Sequence, residues 1–366
     1  MGISLEFFRI SSSRLNGQKM IALNSPRILI SRLSHIGDCI LTLPMLSALR
    51  RNYPKAYIAW AVEKPSNQLL ISHPGLDEVI LIPKGWMGKP RAWRDVSRDL
   101  RSRKFDIAID PQGITKSAML SYLSGARTRI GIRGKWGREL APWLNNTNVQ
   151  QKRLHLVDRS LELLEPLGIR RPTVEFGFSV ERTAAESMRQ FLADVSIRGR
   201  FAIINPGASW ASKRWETNRF AEVANHLFHS QQLPTVVTWA GKEERGMADE
   251  LHRLAPLAVT LAPSTNLNEL AAIMSMAEFF IGCDTGPMHI STAVGTPCVG
   301  LYGPTLPTES GAYGPRNLHI QKWHQDGSCR QRRKAENLAM RDICVDDVNR
   351  SCDQMIHQLQ DRAKIA

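Results

Sequence analysis

The chain has 366 residues, 43% hydrophobic and 22% charged, and carries 48 lysines and arginines against 34 acidic residues, a formal net charge of +14. That length and apolar content suit two globular cores and exclude a disordered or collagen-like chain. The positive excess points to an anionic partner: nucleic acid, an anionic membrane surface or a phosphorylated substrate.

Cys39, Cys283, Cys298, Cys329, Cys344 and Cys352 show no Cys-x-x-Cys spacing and read as reduced thiols of a cytosolic protein. No apolar run has the length of a membrane span. Residues 1–26 read as a basic extension. They contain Phe7 and Phe8 but lack the sustained apolar segment and cleavage site of a secretory signal, and Met20 offers an alternative start.

A first strand is predicted at 27–33 (RILISRL), followed by a tight turn at Ser34-His35-Ile36-Gly37-Asp38. A helix over 39–51 follows from Ile40, Leu43, Leu46 and Leu49 at helical spacing, with Pro44 tolerated in its opening turns. Further strands are expected at 57–62, 78–82 and 105–109, with helices at 67–72, 91–102 and 115–123. This alternation implies a parallel sheet covered on both faces. The stretch 168–180, rich in Arg, Pro and Gly, reads as a linker. The pattern then restarts, with strands at 201–204, 234–239, 278–282 and 297–300 and helices at 218–228, 267–274 and 287–294. An amphipathic helix is expected near 346–363. Two doubly wound α/β domains result, and ligands belong at the carboxyl ends of their strands.

Three turns carry groups capable of chemistry. In the first, Gly37 permits close approach of a ligand, and Asp38 at a helix start is either a cap or a general base. In the second, Asn205-Pro206-Gly207-Ala208-Ser209 leaves backbone amides open to a phosphate, with Lys213 as a cation; the alternative is a turn with a solvated lysine. The spacing of a Walker A loop is missing. The third is the richest: Gly282-Cys283-Asp284-Thr285-Gly286-Pro287-Met288-His289. A strand runs into Asp284, the amides of Thr285 and Gly286 open a helix, and His289 lies one turn in. The plainer alternative is a capping Asp284 and a structural His289. One Asp-Thr-Gly in an α/β setting is not the paired motif of an aspartic protease. Glu243 either holds sugar hydroxyls or favours a helix start. Asp110-Pro111-Gln112-Gly113 ends another strand, with Lys116 just beyond. The basic run 330–334 reads as a solvated loop, and no nucleic-acid-binding module accompanies it.

In this order, the blocks RLSHIGDCILTLP, FDIAIDPQGITKSAML, INPGASWASKRW and CDTGPMHISTAVGTPCVGLYGPT resemble glycosyltransferase family nine, the ADP-heptose:lipopolysaccharide heptosyltransferases. The resemblance runs from about residue 27 to the C-terminus. IDPQGITKSA and the later GIRGKWGRELAPWLN are most similar to heptosyltransferase I, which adds the first heptose to Kdo. The resemblance implies a GT-B fold: two Rossmann-like domains with a catalytic cleft between them. An acceptor domain over 27–175, an ADP-heptose domain over 176–345 and a final helix in 346–366 returning to the N-terminal domain are expected.

The implied reaction is an inverting transfer of heptose from ADP-heptose to a Kdo residue of Kdo2-lipid A, or of a related anionic glycolipid. Asp38 matches the catalytic base, and Lys213 the group that stabilises the departing diphosphate. Donor binding falls to Ser209, Glu243, Asp284, Thr285, Gly286 and His289. Lys116 and Arg138 are expected on the acceptor side, where carboxylates and phosphates need cations. No Asp-x-Asp motif is evident, so no metal or other cofactor is expected. The place of action implied is the cytoplasm, peripheral to an anionic membrane surface, with no specific nucleic-acid partner. Two departures stand out: Ala208 occupies a position where some relatives carry a second hydroxyl, and the cysteines of 327–344 resemble other branches. Alternative readings are a later core or other surface-glycan acceptor, and a non-catalytic glycan-binding member, against which Asp38 and Lys213 argue.

Overall fold

The structure, a computed structural model, describes residues 25–71 and 73–365 together with two short strands, β1 (Arg14–Leu15) and β2 (Gln18–Lys19), which pair antiparallel. The rest of the basic extension, with its alternative start, lies outside the described residues. Two compact units are present. The first comprises the described residues up to 34 with 42–153 and 157–175, and the second 35–41, 154–156 and 176 onward.

In chain order up to residue 175 come β3 (Arg27–Ser31), α1 (Ile36–Asn52, whose residues up to 41 group with the second unit), β4 (Tyr57–Val62), β5 (Glu78–Leu81), α2 (Pro90–Ser102), β6 (Ile107–Ile109), α3 (Thr115–Leu123), β7 (Thr128–Arg133), α4 (Ala141–Leu144), β8 (Thr147–Gln150) and α5 (Leu156–Glu162, whose first residue groups with the second unit). The sheet runs β5-β4-β3-β6-β7-β8 with every pairing parallel. Ile28, Leu29 and Ile30 are fully buried in succession, as a strand covered on both faces requires.

The second unit repeats this plan. It contains α6 (Arg182–Asp194), β9 (Ala202–Asn205), α7 (Thr217–Gln231), β10 (Thr235–Val237), α8 (Gly241–Leu254), β11 (Val259–Leu261), α9 (Leu267–Met276), β12 (Phe279–Cys283), α10 (Gly286–Ala293), β13 (Cys298–Leu301), α11 (Pro307–Ser310), β14 (Leu318–Ile320), α12 (Cys329–Lys334), α13 (Leu338–Arg341) and α14 (Val345–Ile365). Its sheet runs β11-β10-β9-β12-β13-β14, again all parallel. Phe279, Phe280 and Ile281 are fully buried in its centre.

Both sheets therefore follow the Rossmann strand order, which reverses direction between the first and fourth strands of each unit. The carboxyl ends of those strands form the crevice where such sheets bind ligands. The turns selected from sequence lie there: Asp110–Gly113 after β6, Asn205–Gly207 after β9, and Asp284–Gly286 after β12. The first of these turns is structural. Asp110 Oδ1 accepts from the amides of Gly113 (3.0 Å) and Gln112 (3.2 Å), and Oδ2 accepts from Asn145 Nδ2 (3.2 Å). Arg32 Nη1 donates to the Pro111 carbonyl at 2.8 Å, tying the ends of β3 and β6 together.

Local chemistry accounts for the remaining differences from the sequence reading. Helix α1 starts at Ile36, so Asp38 lies in its first turn and does not cap it, and Pro44 falls in mid-helix, where an intrahelical hydrogen bond is lost. The helix expected at 67–72 is a 3-10 turn over Ser66–Leu69, with residue 72 outside the described residues. The helix expected to return to the N-terminal domain belongs to the second unit: Val348, Cys352, Met355 and Ile356 of α14 join Trp215 and Phe220 in its core. Asp353 on α14 accepts from Gln231 of α7 at 2.9 Å. Among the described residues, no helix is long and apolar enough to cross a membrane.

Helix α9 shows how firmly a start can be set. Asn266 Oδ1 accepts from the amides of Asn268 (2.9 Å) and Glu269 (3.0 Å), and Glu269 Oε2 accepts from the Asn266 amide (2.9 Å). Asn266→Ala is expected to cost about 1 kcal/mol, read as a lower urea midpoint at unchanged slope.

Candidate active site

Strand β12 ends at the fully buried Cys283, and the chain then turns through Asp284 and Thr285 into α10. Asp284 is 5% exposed, Lys213 9% and His289 4%. A carboxylate this deep survives only with partners. Lys213 Nζ donates to Asp284 Oδ2 at 2.7 Å and to its carbonyl at 3.2 Å, while His289 Nε2 stands 3.3 Å from Oδ1. Burial alone would raise the Asp284 carboxyl, but the Lys213 ammonium and His289 outweigh it and hold the carboxyl well below the usual range. The neighbouring Cys283 thiol is pushed up by burial to about 12, which makes it inert as a nucleophile.

Lys213 ends a 3-10 turn, Ala211–Lys213, and Trp210 precedes it. The Lys213 ammonium lies 4.6 Å from the Trp210 ring centroid, and the Arg333 guanidinium lies 5.2 Å from the same ring. The run 330–334, expected in a solvated loop, is thus a capped helix beside the site. Ser328 Oγ accepts from the Gln331 amide at 3.3 Å, and Arg332 Nη1 donates to the Pro304 carbonyl at 2.5 Å. Sequence reasoning missed Arg333; the Ser-x-x-Gln capping pattern was the signal for it.

At the opening of α10, Thr285 is extended and its side chain caps nothing. Thr285 Oγ1 and His289 Nδ1 are buried without a hydrogen-bond partner among the described residues. Orphaned groups of this kind cost about 1–3 kcal/mol each, a cost that a bound polar ligand relieves. The amides of Thr285 and Gly286 stand at the positive end of the helix. Segment 35–41, grouped with this unit, packs against the same turn: a Cβ on Gly37 would lie 2.4 Å from His289 Cδ2, and one on Gly286 would lie 3.3 Å from Ile36 Cγ2. Asp38 is partly exposed beside Gly37, with Oδ2 3.9 Å from His35 Nδ1.

Ser209 is exposed at the tip of the Asn205–Ser209 turn. Glu243 is occupied elsewhere. Arg214 grips it with two hydrogen bonds, of 2.5 and 2.9 Å, and also donates to the Ala208 carbonyl at 3.2 Å. Its neighbour Glu244, not singled out from sequence, faces the turn: a Cβ on Gly207 would lie 2.2 Å from Glu244 Oε1. Glu244 Oε2 accepts from the Ala240 amide at 2.8 Å, and burial pushes its carboxyl up.

Of the residues expected to meet an acceptor, Lys116 opens α3 and donates to the buried Glu63 at 2.5 Å. Arg138 is exposed in the loop before α4, its amide donating to the Gly113 carbonyl at 2.8 Å. Both belong to the first unit. The second unit also has an open groove of about 740 Å³, lined by 195–200, Gln231, Gln232, Pro234, Leu257 and Thr260. It lies at the amino ends of β9, β10 and β11, the wrong end for a doubly wound sheet's ligand, so the Asp284 turn is the stronger site. Among the described residues no group of three His, Cys, Asp or Glu side chains is placed to hold a metal ion.

The second unit thus joins a buried cation, helix-start amides and orphaned polar groups, a setting for a diphosphate. The sequence profile described as "Glycosyltransferase family 9 (heptosyltransferase)" matches residues 93–340. The chain is 28% identical to a lipopolysaccharide core heptosyltransferase, OpsX, of Haemophilus influenzae, over 78% of this chain and 81% of that one. It is 27% identical to lipopolysaccharide heptosyltransferase 1 of Pseudomonas aeruginosa, over 80% of this chain and 83% of that one. Among solved structures, a family 9 glycosyl transferase from Veillonella parvula superposes with a TM-score of 0.80 at 23% identity, covering 93% of this chain and 99% of that one. The E. coli heptosyltransferase WaaC with ADP superposes with a TM-score of 0.70 at 22% identity, covering 91% and 99%. The shared fold is GT-B. With its profile matched over more than half its length, this chain belongs to glycosyltransferase family 9, the heptosyltransferases.

Proposed function

We propose that the chain transfers heptose from ADP-heptose, with inversion, to a Kdo residue of the lipopolysaccharide inner core on Kdo2-lipid A, at the cytoplasmic face of the membrane. The observation that carries this reading is the buried Lys213–Asp284–His289 cluster at the α10 start. Relatives named as lipopolysaccharide heptosyltransferase 1 support the acceptor, and a related structure holding ADP supports the donor.

Asp38 takes the proton of the Kdo hydroxyl as its oxygen bonds to the anomeric carbon. The carbon–oxygen bond to the diphosphate breaks on the opposite side, and ADP leaves with the electron pair. Lys213 aims two of its three protons at Asp284, leaving the third for a phosphoryl oxygen. The Thr285 and Gly286 amides, with Ser209, complete the diphosphate cradle, and His289 holds the Asp284 carboxylate in place. Glu244, facing the Gly207 turn from α8, takes the hydroxyl-binding role expected of Glu243, which instead fixes Arg214. Lys116 and Arg138 are assigned to the anionic acceptor. Metal-independent transfer is part of the proposal, since the cation and amides supply the positive charge.

Arg333 adds a second cation beside Trp210. Arg333→Ala is expected to raise the KM for ADP-heptose about fivefold and to leave thermal stability unchanged. A later-core acceptor is the second reading, favoured by the 28% identity to E. coli lipopolysaccharide heptosyltransferase 3. Parallel turnover of Kdo2-lipid A and of a heptose-bearing core acceptor decides between them: faster ADP release with Kdo2-lipid A is expected, and the reverse order would establish the second reading.

A further inference from the structure

Helix α12 is only six residues long, yet it is tied to both flanks of the Asp284 turn. β12 lies between β9 and β13 in the sheet, so the loops after β9 and β13 stand on either side of that turn. Arg332 reaches the loop after β13: its Nη1 donates to the Pro304 carbonyl at 2.5 Å and lies 3.3 Å from His324 Nε2. Arg333 reaches the loop after β9. Its guanidinium lies 5.2 Å from the Trp210 ring centroid, and the Lys213 ammonium lies 4.6 Å from the same centroid. Just beyond the helix, Asn337 Nδ2 donates to the Arg214 carbonyl at 2.9 Å, also on the β9 side.

The anchor on the β13 side is itself fixed. Gln321 Nε2 donates to the carbonyls of Gly303 (3.1 Å) and Thr305 (2.8 Å), and the Gln325 amide donates to the Gly303 carbonyl at 3.2 Å. The Pro304 carbonyl is thus presented from a loop held on both sides of it. A planar guanidinium meets that carbonyl and His324 together, which an ammonium on a flexible stem does not reproduce. Stability alone is a weak reason for the arrangement. Arg332 Nε is buried without a hydrogen-bond partner among the described residues, and an orphaned buried donor opposes folding. Arg333, by contrast, is exposed. It shares one indole ring with Lys213, and two cations so placed repel each other unless an anion joins them. Asp284 pairs with Lys213, which leaves the charge of Arg333 for a ligand.

We propose that Arg332 is a positioning residue for the donor: by fixing α12 to the Pro304 carbonyl it holds Arg333 beside Lys213, where the Arg333 guanidinium binds the diphosphate. Arg332 itself touches no phosphate, and its effect passes through Arg333. This assignment rests on the diphosphate reading of the Asp284 turn and is independent of the sugar and the acceptor.

The test measures ADP binding to the full chain by calorimetry, with melting temperatures taken on the same samples. Arg333→Ala and Arg332→Ala are each expected to raise the Kd for ADP about fivefold, and the double variant also about fivefold, against roughly 25-fold for independent contributions. Arg332→Lys keeps the charge and loses the fork, so its Kd is expected to stay within about twofold of that of Arg332→Ala. Ser328→Ala loosens the start of α12 with Arg332 in place, and it keeps the test open if Arg332→Ala folds poorly. It is expected to weaken ADP binding about twofold on its own and to add nothing to Arg333→Ala. An unchanged Kd in Arg332→Ala, multiplied losses in the double variant, full recovery in Arg332→Lys, or a Ser328→Ala loss that persists without Arg333 would each overturn the positioning role and leave diphosphate binding at Lys213 standing. Wild-type protein that fails to bind ADP would overturn both.

Discussion

Asp284→Ala is expected to destabilise the protein by about 3–5 kcal/mol, read as a lower urea midpoint, because it leaves the Lys213 ammonium buried and unpaired. The pair is 2.7 Å apart with both side chains almost wholly enclosed. Removing both charges together, in Lys213→Met/Asp284→Ala, is expected to recover most of that loss, since a buried ion pair contributes little net stability once its desolvation is counted. Activity is expected to behave differently. The double variant is expected to remain inactive because the cation proposed for the departing diphosphate has gone, and losing one such donor costs about a hundredfold or more in turnover. Recovery of stability without recovery of ADP release separates the two roles of Lys213; recovery of both would make the pair merely structural.

The same pair sets an acid limit. The folded-state pKa of Asp284 lies below its unfolded value, so the ionised carboxylate adds stability above the ordinary carboxylate range, and that stability is lost as the pH falls through this range towards the folded value. Asp347 acts in the same direction: burial opposes the shift, but Cys344 and Lys322 hold its carboxyl down at about 2. Stability is therefore expected to be flat near neutrality and to fall below about pH 4, with a shallower fall in Asp284→Asn.

Asp38→Asn is expected to lower turnover about 10²- to 10⁴-fold with folding intact. Asp38 lies in the first turn of α1 on a partly exposed surface, where asparagine fits the same space. Asparagine keeps the shape and the polar contacts but accepts no proton. A fall confined to kcat, with donor affinity retained in calorimetry, identifies Asp38 as the base. Unchanged turnover would remove it from the mechanism.

The repeated strand–helix alternation was legible because central strands buried on both faces leave an unmistakable apolar run, as Ile28–Ile30 and Phe279–Ile281 do. Strands at the sheet margins were not. β8 is Thr147-Asn148-Val149-Gln150 with only Val149 buried, and β14 is three residues long. Their register comes from neighbouring strands, which local sequence does not encode. The Asp284 turn was legible because strand, small residues and helix start coincide in sequence. Its partners were harder to see. Lys213 meets Asp284 only because β9 and β12 are adjacent, and Arg333 arrives from more than a hundred residues beyond Trp210. Which of Glu243 and Glu244 faces the Gly207 turn was a matter of helix phase that the sequence around 239–244 left open. The direction of α14 is set by tertiary packing, since an amphipathic face alone does not name the surface that covers it.

Incubation of the purified chain with ADP-heptose and Kdo2-lipid A, followed by ADP quantification and mass analysis of the lipid, tests the central claim most directly. One ADP released for each heptose gained by the lipid, with the new linkage inverted relative to the donor, is the predicted result. ADP-heptose left intact, while another nucleotide sugar is consumed under the same conditions, would contradict it.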